Sequence, residues 1–231
     1  MLMNVKKISL SLIVLINCFT NILPCSIDNT LTVIKNLKKF KKTGCCVGCD
    51  LADQDLREIF KEIRARDPHH IINLQGANLN RANISGVFAP KTNFSNAQMR
   101  DTIATYAFLN EANFENTCIH RIKLEYALLY KAIFKKTHCG GANFAYADLV
   151  KANFEEALLE PSGCQVYGPA NMGSFYKANA KWANFKNTRW CFFHTKDADF
   201  TGANFTGAKN WFEYKFKDAI MTDVIYPEDR K

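Results

Sequence analysis

The sequence predicts an all-β solenoid, and three observations point there. A small residue and a large one recur at every fifth position over most of the chain. The large positions sort again at intervals of 20, and none of them over the unbroken stretch is charged or amide-bearing. Self-similarity at a fixed short period is the mark of a stacked repeat architecture. In "GGANFAYADLVKANFEEALLE", residues 140–160, Ala142, Ala147, Ala152 and Ala157 keep the beat, and Phe144, Leu149, Phe154 and Leu159 follow two places behind. A helix would repeat near 3.6 and a flat strand at 2, so five belongs to neither.

Before the beat begins, Lys6 and Lys7 precede the mostly apolar run "ISLSLIVLINCFTNIL". A basic start and a short apolar stretch predict a secretory signal peptide over 1–26, with cleavage near Cys25–Ser26. Export to the periplasm or the extracellular space follows, and an uncleaved membrane anchor is the alternative. Neither Cys18 nor Cys25 has the small preceding residue of a lipidated cysteine. The next segment, 27–44, predicts a capping helix. Asp28, Asn29 or Thr30 can cap its start, Val33, Leu37 and Phe40 share a face, and Gly44 can end it. Its five lysines, Lys35, Lys38, Lys39, Lys41 and Lys42, fit the solvated face of such a helix.

The repeat region spans 45–226. It opens with "CVGCDLADQDL" and is interrupted over 57–71 by a helical insertion, where Leu56, Ile59, Phe60 and Ile63 share a face and Pro68 forces an end. From Ile72 to Leu159 the beat holds for 18 pentads. The large residue of each pentad is its centre, and the small position lies two before it. Eleven of the 18 small positions are Ala and four are Thr, whereas the centres are chiefly Leu and Phe. The loop 160–170, "EPSGCQVYGP" and its neighbour, shifts the phase by one residue, after which Phe175 resumes it with Ala178, Ala183, Ala198 and Ala203 in small positions. A second slip near the end makes Trp211, Phe216, Met221 and Tyr226 centres, with a terminal amphipathic helix as the alternative. Residues 227–231 form a tail.

The segments "NLQGANLNRANI", "GGANFAYADLVKANF" and "DADFTGANFTGA" resemble the A-(D/N)-(L/F)-x-x pattern of the pentapeptide-repeat family, and "TGCCVGCDL" resembles the first turn of many members. The resemblance covers roughly 43–226. It implies a right-handed quadrilateral β-helix, in which four pentads make the four sides of one coil. Each side of a narrow square points two residues inward, so one must be small for the other to be large. Coils then stack about 4.8 Å apart, and seven or eight of them make a rod roughly 35 Å long. Residues 20 apart should stack, and Phe94, Phe114, Phe134 and Phe154 are 20 apart. With the one-residue slip allowed for, Phe175 is expected to continue that column. Glu115, Lys135 and Glu155 should stack outside with alternating sign. Both ends of the rod are open β edges, and the N-terminal helix and the aromatic C-terminus are expected to cover them.

No nucleotide loop, nucleophile elbow or metal-helix motif is present, so no catalytic residue, metal or cofactor is assigned. "CVGC" (Cys46–Cys49) places both sulfurs inward, which fits packing or a local disulfide better than redox catalysis. Outward Cys118 lies under His138 with His120 on the same pentad, a thin basis for an enzyme, since nothing orients the imidazole. The outward aromatic residues carry more information. Tyr106, Tyr126 and Tyr146 stack at one corner, and Phe88, Phe108 and Leu128 at the next outward position. These six are the candidate binding residues, for an unknown protein or other macromolecule. Cover by the 57–71 helix or the 160–170 loop, or self-association into a homodimer, are the alternatives.

Some members of the family that the sequence resembles mimic a DNA duplex and act on type II topoisomerases. Such mimicry needs rows of acidic residues, yet the chain has a formal net charge of +8 and mixed signs over 74–159. Lys and Arg form no continuous track either, which disfavours direct nucleic-acid binding. Membrane contact is expected only through an uncleaved N-terminal segment. The expected function is that of an exported, non-catalytic scaffold that binds through flat faces and the aromatic stripe.

Overall fold

The computed structural model describes residues 24–159, 172–191, 193–211 and 213–228. The expected signal segment falls almost wholly, and the 160–170 loop wholly, outside the described residues. Helix α1 spans Pro24–Thr43 and helix α2 spans Arg57–Arg66; the rest is a right-handed square β-helix with a short 3₁₀ turn at Glu213–Phe216. Most rungs are single parallel bridges between coils. Four widen into two-residue strands: β1 (Leu158–Leu159) pairs with β3 (Arg189–Trp190), and β2 (Gly173–Ser174) with β4 (Phe193–His194).

One side shows how the five-residue beat makes a coil. Ala107 and Leu109 point in and are buried, while Phe108 between them points out. Leu109 N–H donates to Leu128 O at 2.8 Å in the coil above, and Phe108 N–H to Val87 O at 2.8 Å in the coil below. Asn110 and Glu111 turn the corner. Glu111 takes the left-handed φ of 59°, and Ala112 N–H closes the turn on Leu109 O at 3.0 Å. Every buried backbone group named here is thereby paired, which a narrow dry interior requires. Where the outward residue is Asn, its Oδ1 also accepts the first corner amide, as Asn113 does from Glu115 N–H at 2.9 Å and Asn153 from Glu155 N–H at 3.0 Å. That local side-chain turn is the reason Asn and Asp recur one place after the alanine.

The interior is a stack of rings. Phe94, Phe114, Phe134, Phe154, Phe185 and Phe205 lie face to face, with centroids 5.0, 4.8, 4.6, 4.9 and 5.0 Å apart in that order. Phe175 does not continue this column as the one-residue slip suggested. It stacks on Phe144 at 5.1 Å, on the opposite side of the square, and Phe185 takes the place above Phe154. The bridges explain why: Asn143 pairs with Ser174 and Asn153 with Asn184, a spacing of 31 in place of 20. Eleven extra residues shift the phase by one, as the sequence shows, but they also carry the chain past two further sides. The second slip occurs where expected. Asp199 pairs with Ile220 and Asn204 with Ile225, 21 residues on, which sets Met221 and Tyr226 against the core.

Both helices sit at the N-terminal end. Phe40 of α1 and Phe60 of α2 are buried edge-to-face at 5.4 Å, and Leu56 and Ile63 complete the covered base. Helix α2 stops at Arg66, short of the expected 71, because Asp67 precedes Pro68 and is extended at φ −144° and ψ 99°. Helix α1 begins three residues earlier than expected and ends at Thr43, where Gly44 turns left-handed at φ 64° and donates to Phe40 O at 2.8 Å. Cys46 and Cys49 face inward in the first coil and form a disulfide. Among the described residues no helix is long and apolar enough to cross a membrane.

Candidate binding stripe

The corners decide what the outer surface can present. In most of the described pentads the second corner residue is left-handed, a conformation that suits Gly, Asn and Asp and costs other residues about 1 kcal/mol. Asn96, Asp101, Asn116, Gly141 and Gly202 meet that preference. Tyr106, Tyr126 and Tyr146 do not, at φ 58°, 60° and 59°. A bulky aromatic with positive φ asks for a compensating contact. Here it is mutual: the Tyr106–Tyr126 centroids lie 4.8 Å apart at 3°, and Tyr126–Tyr146 4.6 Å apart at 6°. Parallel rings at this distance add about 0.5–1.5 kcal/mol per pair, comparable to the backbone cost. The ladder stays between 39% and 59% exposed, so the packing accounts for the ring faces and leaves edges and hydroxyls to solvent.

The neighbouring outward column departs from the family pattern in the same way. Phe88, Phe108 and Leu128 stand where Asn or Asp would cap the corner amide, and are bridged in succession. Phe88 and Phe108 rings meet at 5.8 Å and remain exposed, and Leu128 is half-buried. Asn110 compensates at one coil, its Oδ1 accepting Tyr130 N–H at 3.0 Å. Thus all six candidate residues fall on two adjacent columns of one edge of the rod. Helix α2 reaches the lower end, where the Arg64 guanidinium lies 5.6 Å over the Phe88 ring, but it leaves Phe88 54% exposed. The 160–170 loop, as a possible cover, lies outside the described residues.

The upper end of the ladder holds two residues that the sequence did not single out. Tyr176 meets Tyr146 edge-on at 5.4 Å, and Lys177 Nζ lies 5.8 Å over Tyr146 and 5.2 Å over Tyr176. The Tyr146 phenol pKa is pushed up, first by desolvation and then by the Tyr176 hydroxyl. Lys177 occupies the corner above Tyr146 only because of the 31-residue step, so without the loop length no sequence rule would place it there. Elsewhere the corners carry charge. Arg81 pairs with Asp53 in the coil below, and Arg121 with Asp101 at 2.6 Å, both through two nitrogens. Lys135 meets Glu155 at 3.2 Å, as the alternating column predicted.

The cysteine–histidine group gathers little. Cys118 and His138 are bridged neighbours, and the His120 and His138 rings meet edge-on at 6.4 Å. His120 Nδ1 lies 3.4 Å from Gly140 O, and burial lowers its pKa. Cys139 points into the core and burial raises its thiol pKa well above the usual value. Among the described residues no carboxylate contact orients either imidazole. Among the described residues no group of three or more His, Cys, Asp or Glu could hold a metal ion.

A family model described as pentapeptide repeats (8 copies) matches residues 92–129 and 122–160. No curated protein matches the chain. Among solved structures, the chain is similar to HetL, a pentapeptide repeat protein involved in heterocyst differentiation regulation from the cyanobacterium Nostoc sp. strain PCC 7120. That match has 18% identity, covers 81% of this chain and 86% of that one, and has a TM-score of 0.30. QnrB1, a plasmid-mediated fluoroquinolone resistance protein, is 12% identical over 80% of this chain and 92% of its own, with a TM-score of 0.30. A pentapeptide repeat protein of the Arabidopsis thaliana thylakoid lumen is 21% identical over 55% and 67%, with a TM-score of 0.20. At these identities and scores the likeness does not extend to what those proteins do.

Proposed function

Because this chain is a pentapeptide-repeat protein, with a packed interior and flat sides, we propose that it is an exported, non-catalytic scaffold that binds another protein through its aromatic edge. The observation that carries this reading is the tyrosine ladder. Three tyrosines occupy left-handed corners, with their edges open to solvent, beside Phe88, Phe108 and Leu128. A rod that needed only stability would place Asn or Gly at those corners and keep its turn-capping amides. An exposed aromatic strip is instead the composition that protein interfaces favour at their centres. Hydroxyls along the strip supply polar contacts without the desolvation cost of charges.

Charge weighs against mimicry of a nucleic acid. Arg81–Asp53, Arg121–Asp101, Lys91–Glu111 and Lys136–Glu156 neutralise the corner columns locally, so among the described residues no acidic track runs along these columns. Export rests on Lys6, Lys7 and the apolar run that follows them. The test of the stripe is the double variant Tyr126→Ala with Phe108→Ala, whose fold is verified by circular dichroism. Loss of a specific partner that wild type captures is the expected outcome; undiminished capture would remove the stripe from the account. N-terminal sequencing of the fractionated protein tests export, and an intact N-terminus in the cytosol would contradict it.

A further inference from the structure

At the foot of the stripe, helix α2 and the corner at 85–88 enclose a groove of about 310 Å³. Its floor is apolar: Phe60 and Val87 are buried, and the Phe88 ring forms one side. Gly86 leaves the corner open, since a Cβ added there would meet nothing within 4 Å. Along the rim stand Arg57, Lys61 and Arg64, at i, i+4 and i+7 on one face of α2. Glu58 is the acidic group that also lines the groove.

These cations are not equally engaged. Arg57 is held bidentately by Asp55, at 2.9 and 2.7 Å. Lys61 is loosely placed, 3.8 Å from Glu58 and largely exposed. Arg64 is different again: its guanidinium donates to the carbonyls of Phe88, Pro68 and His70 at 2.7–2.9 Å and to Pro90 at 3.5 Å. All four acceptors are neutral, and Asp67 acts on Arg64 only through space. Burial is the main influence on this guanidinium and disfavours its charge. A fixed cation, partly desolvated and without a contacting carboxylate, is stabilised by an anion brought to it. An apolar floor beside it favours an anion that carries an apolar neighbour.

We propose that this groove seats the acidic anchor of the bound polypeptide: a Glu or Asp next to an aromatic or aliphatic residue. The carboxylate lies against Lys61 and Arg64, and the apolar side chain rests on Val87 and Phe88. From there the bound segment continues up the rod over Phe108, Leu128 and the tyrosine edges. The assignment rests on the stripe being a protein-binding edge, and it adds the chemistry and the entry point of the partner.

The probe is a fluorescein-labelled peptide of three Glu-Phe repeats, titrated with the full chain by fluorescence anisotropy, against its Gln-Phe counterpart. The Glu-Phe peptide should bind at least tenfold more tightly than the Gln-Phe peptide. Lys61→Glu should weaken it at least tenfold, and Gly86→Asn, which a left-handed corner accepts, should fill the open corner and weaken it about fivefold. Arg64→Ala is avoided, because Arg64 also fastens α2 to the coil. Equal binding of the two peptides, no binding of either, or indifference to Lys61→Glu would overturn the groove assignment. None of those outcomes touches the stripe, which stands or falls on the Tyr126/Phe108 variant. Tighter binding of phosphatidylserine vesicles or a DNA duplex, lost on Lys61→Glu, would also overturn it, as general anion attraction.

Discussion

Phe134→Ala puts the interior stack to a quantitative test. Phe134 is fully buried, with Phe114 at 4.8 Å on one face, Phe154 at 4.6 Å on the other, and Phe144 edge-on at 5.6 Å. Truncating an enclosed ring costs about 3–5 kcal/mol through lost transfer energy and the cavity left behind. The rigid bridges above and below limit collapse, which places the expected loss toward the upper part of that range. Phe94 supplies an internal comparison, since among the described residues its ring stacks on Phe114 alone. Each stack adds about 0.5–1.5 kcal/mol, so Phe94→Ala should cost about 1 kcal/mol less than Phe134→Ala. Phe134→Leu, which keeps most of the volume, should cost about 1.5 kcal/mol. Urea denaturation followed by far-ultraviolet circular dichroism reads all three. A cost for Phe134→Ala below about 1 kcal/mol, or equal to that of the Leu variant, would refute the enclosed stack.

Three further outcomes follow from particular contacts. Gly173→Ala should destabilise by about 1–3 kcal/mol, because the new Cβ would lie 2.3 Å from the Phe193 ring; Phe193→Ala in the same chain should recover part of the loss, and urea midpoints of the two variants decide it. The Asp101 pKa is lowered, chiefly by its hydrogen bonds from Arg121. A depressed folded pKa gives stability that is present above the unfolded carboxylate value and lost as pH falls through the folded one. Asp101→Asn should therefore be less stable than wild type at pH 7, by no more than about 1 kcal/mol after solvent screening, and the gap should narrow as pH falls below the ordinary carboxylate range and close once Asp101 is protonated in the folded chain. Alkylation without reductant, read by mass spectrometry, should label half-exposed Cys45 and Cys118 quickly and buried Cys139 slowly, and should spare disulfide-bonded Cys46 and Cys49.

Much of this architecture was legible because a square coil leaves so little interior. Ala107 beside Leu109, or Ala132 beside Phe134, is a pairing that volume dictates, so the beat can be read without any partner sequence. The outward columns were legible for the same reason, and Tyr106, Tyr126 and Tyr146 fell where a step of 20 put them. What failed was a count of whole sides. Phase fixes position only modulo five, so 11 inserted residues and one inserted residue look alike, and Phe175 lies over Phe144 and not over Phe154. Lys177 and Tyr176 were missed on the ladder through the same ambiguity. The side around Gly173 and Phe193 breaks the size rule itself: Phe193 fills the small position, Thr195 the centre, and Gly173 beneath makes the room. Arg64 could not have been found from periodicity, because its role depends on four carbonyls that the fold assembles from residues 68–90.

The claim that the aromatic edge is the recognition surface is tested most directly by photo-cross-linking in the cells that make the protein. A benzophenone amino acid replaces Tyr126 in one chain and Asn116, at a corner of another column, in a second. A discrete cross-linked partner is expected from position 126 and none from position 116. The same adduct from both positions, or one from 116 alone, would contradict it.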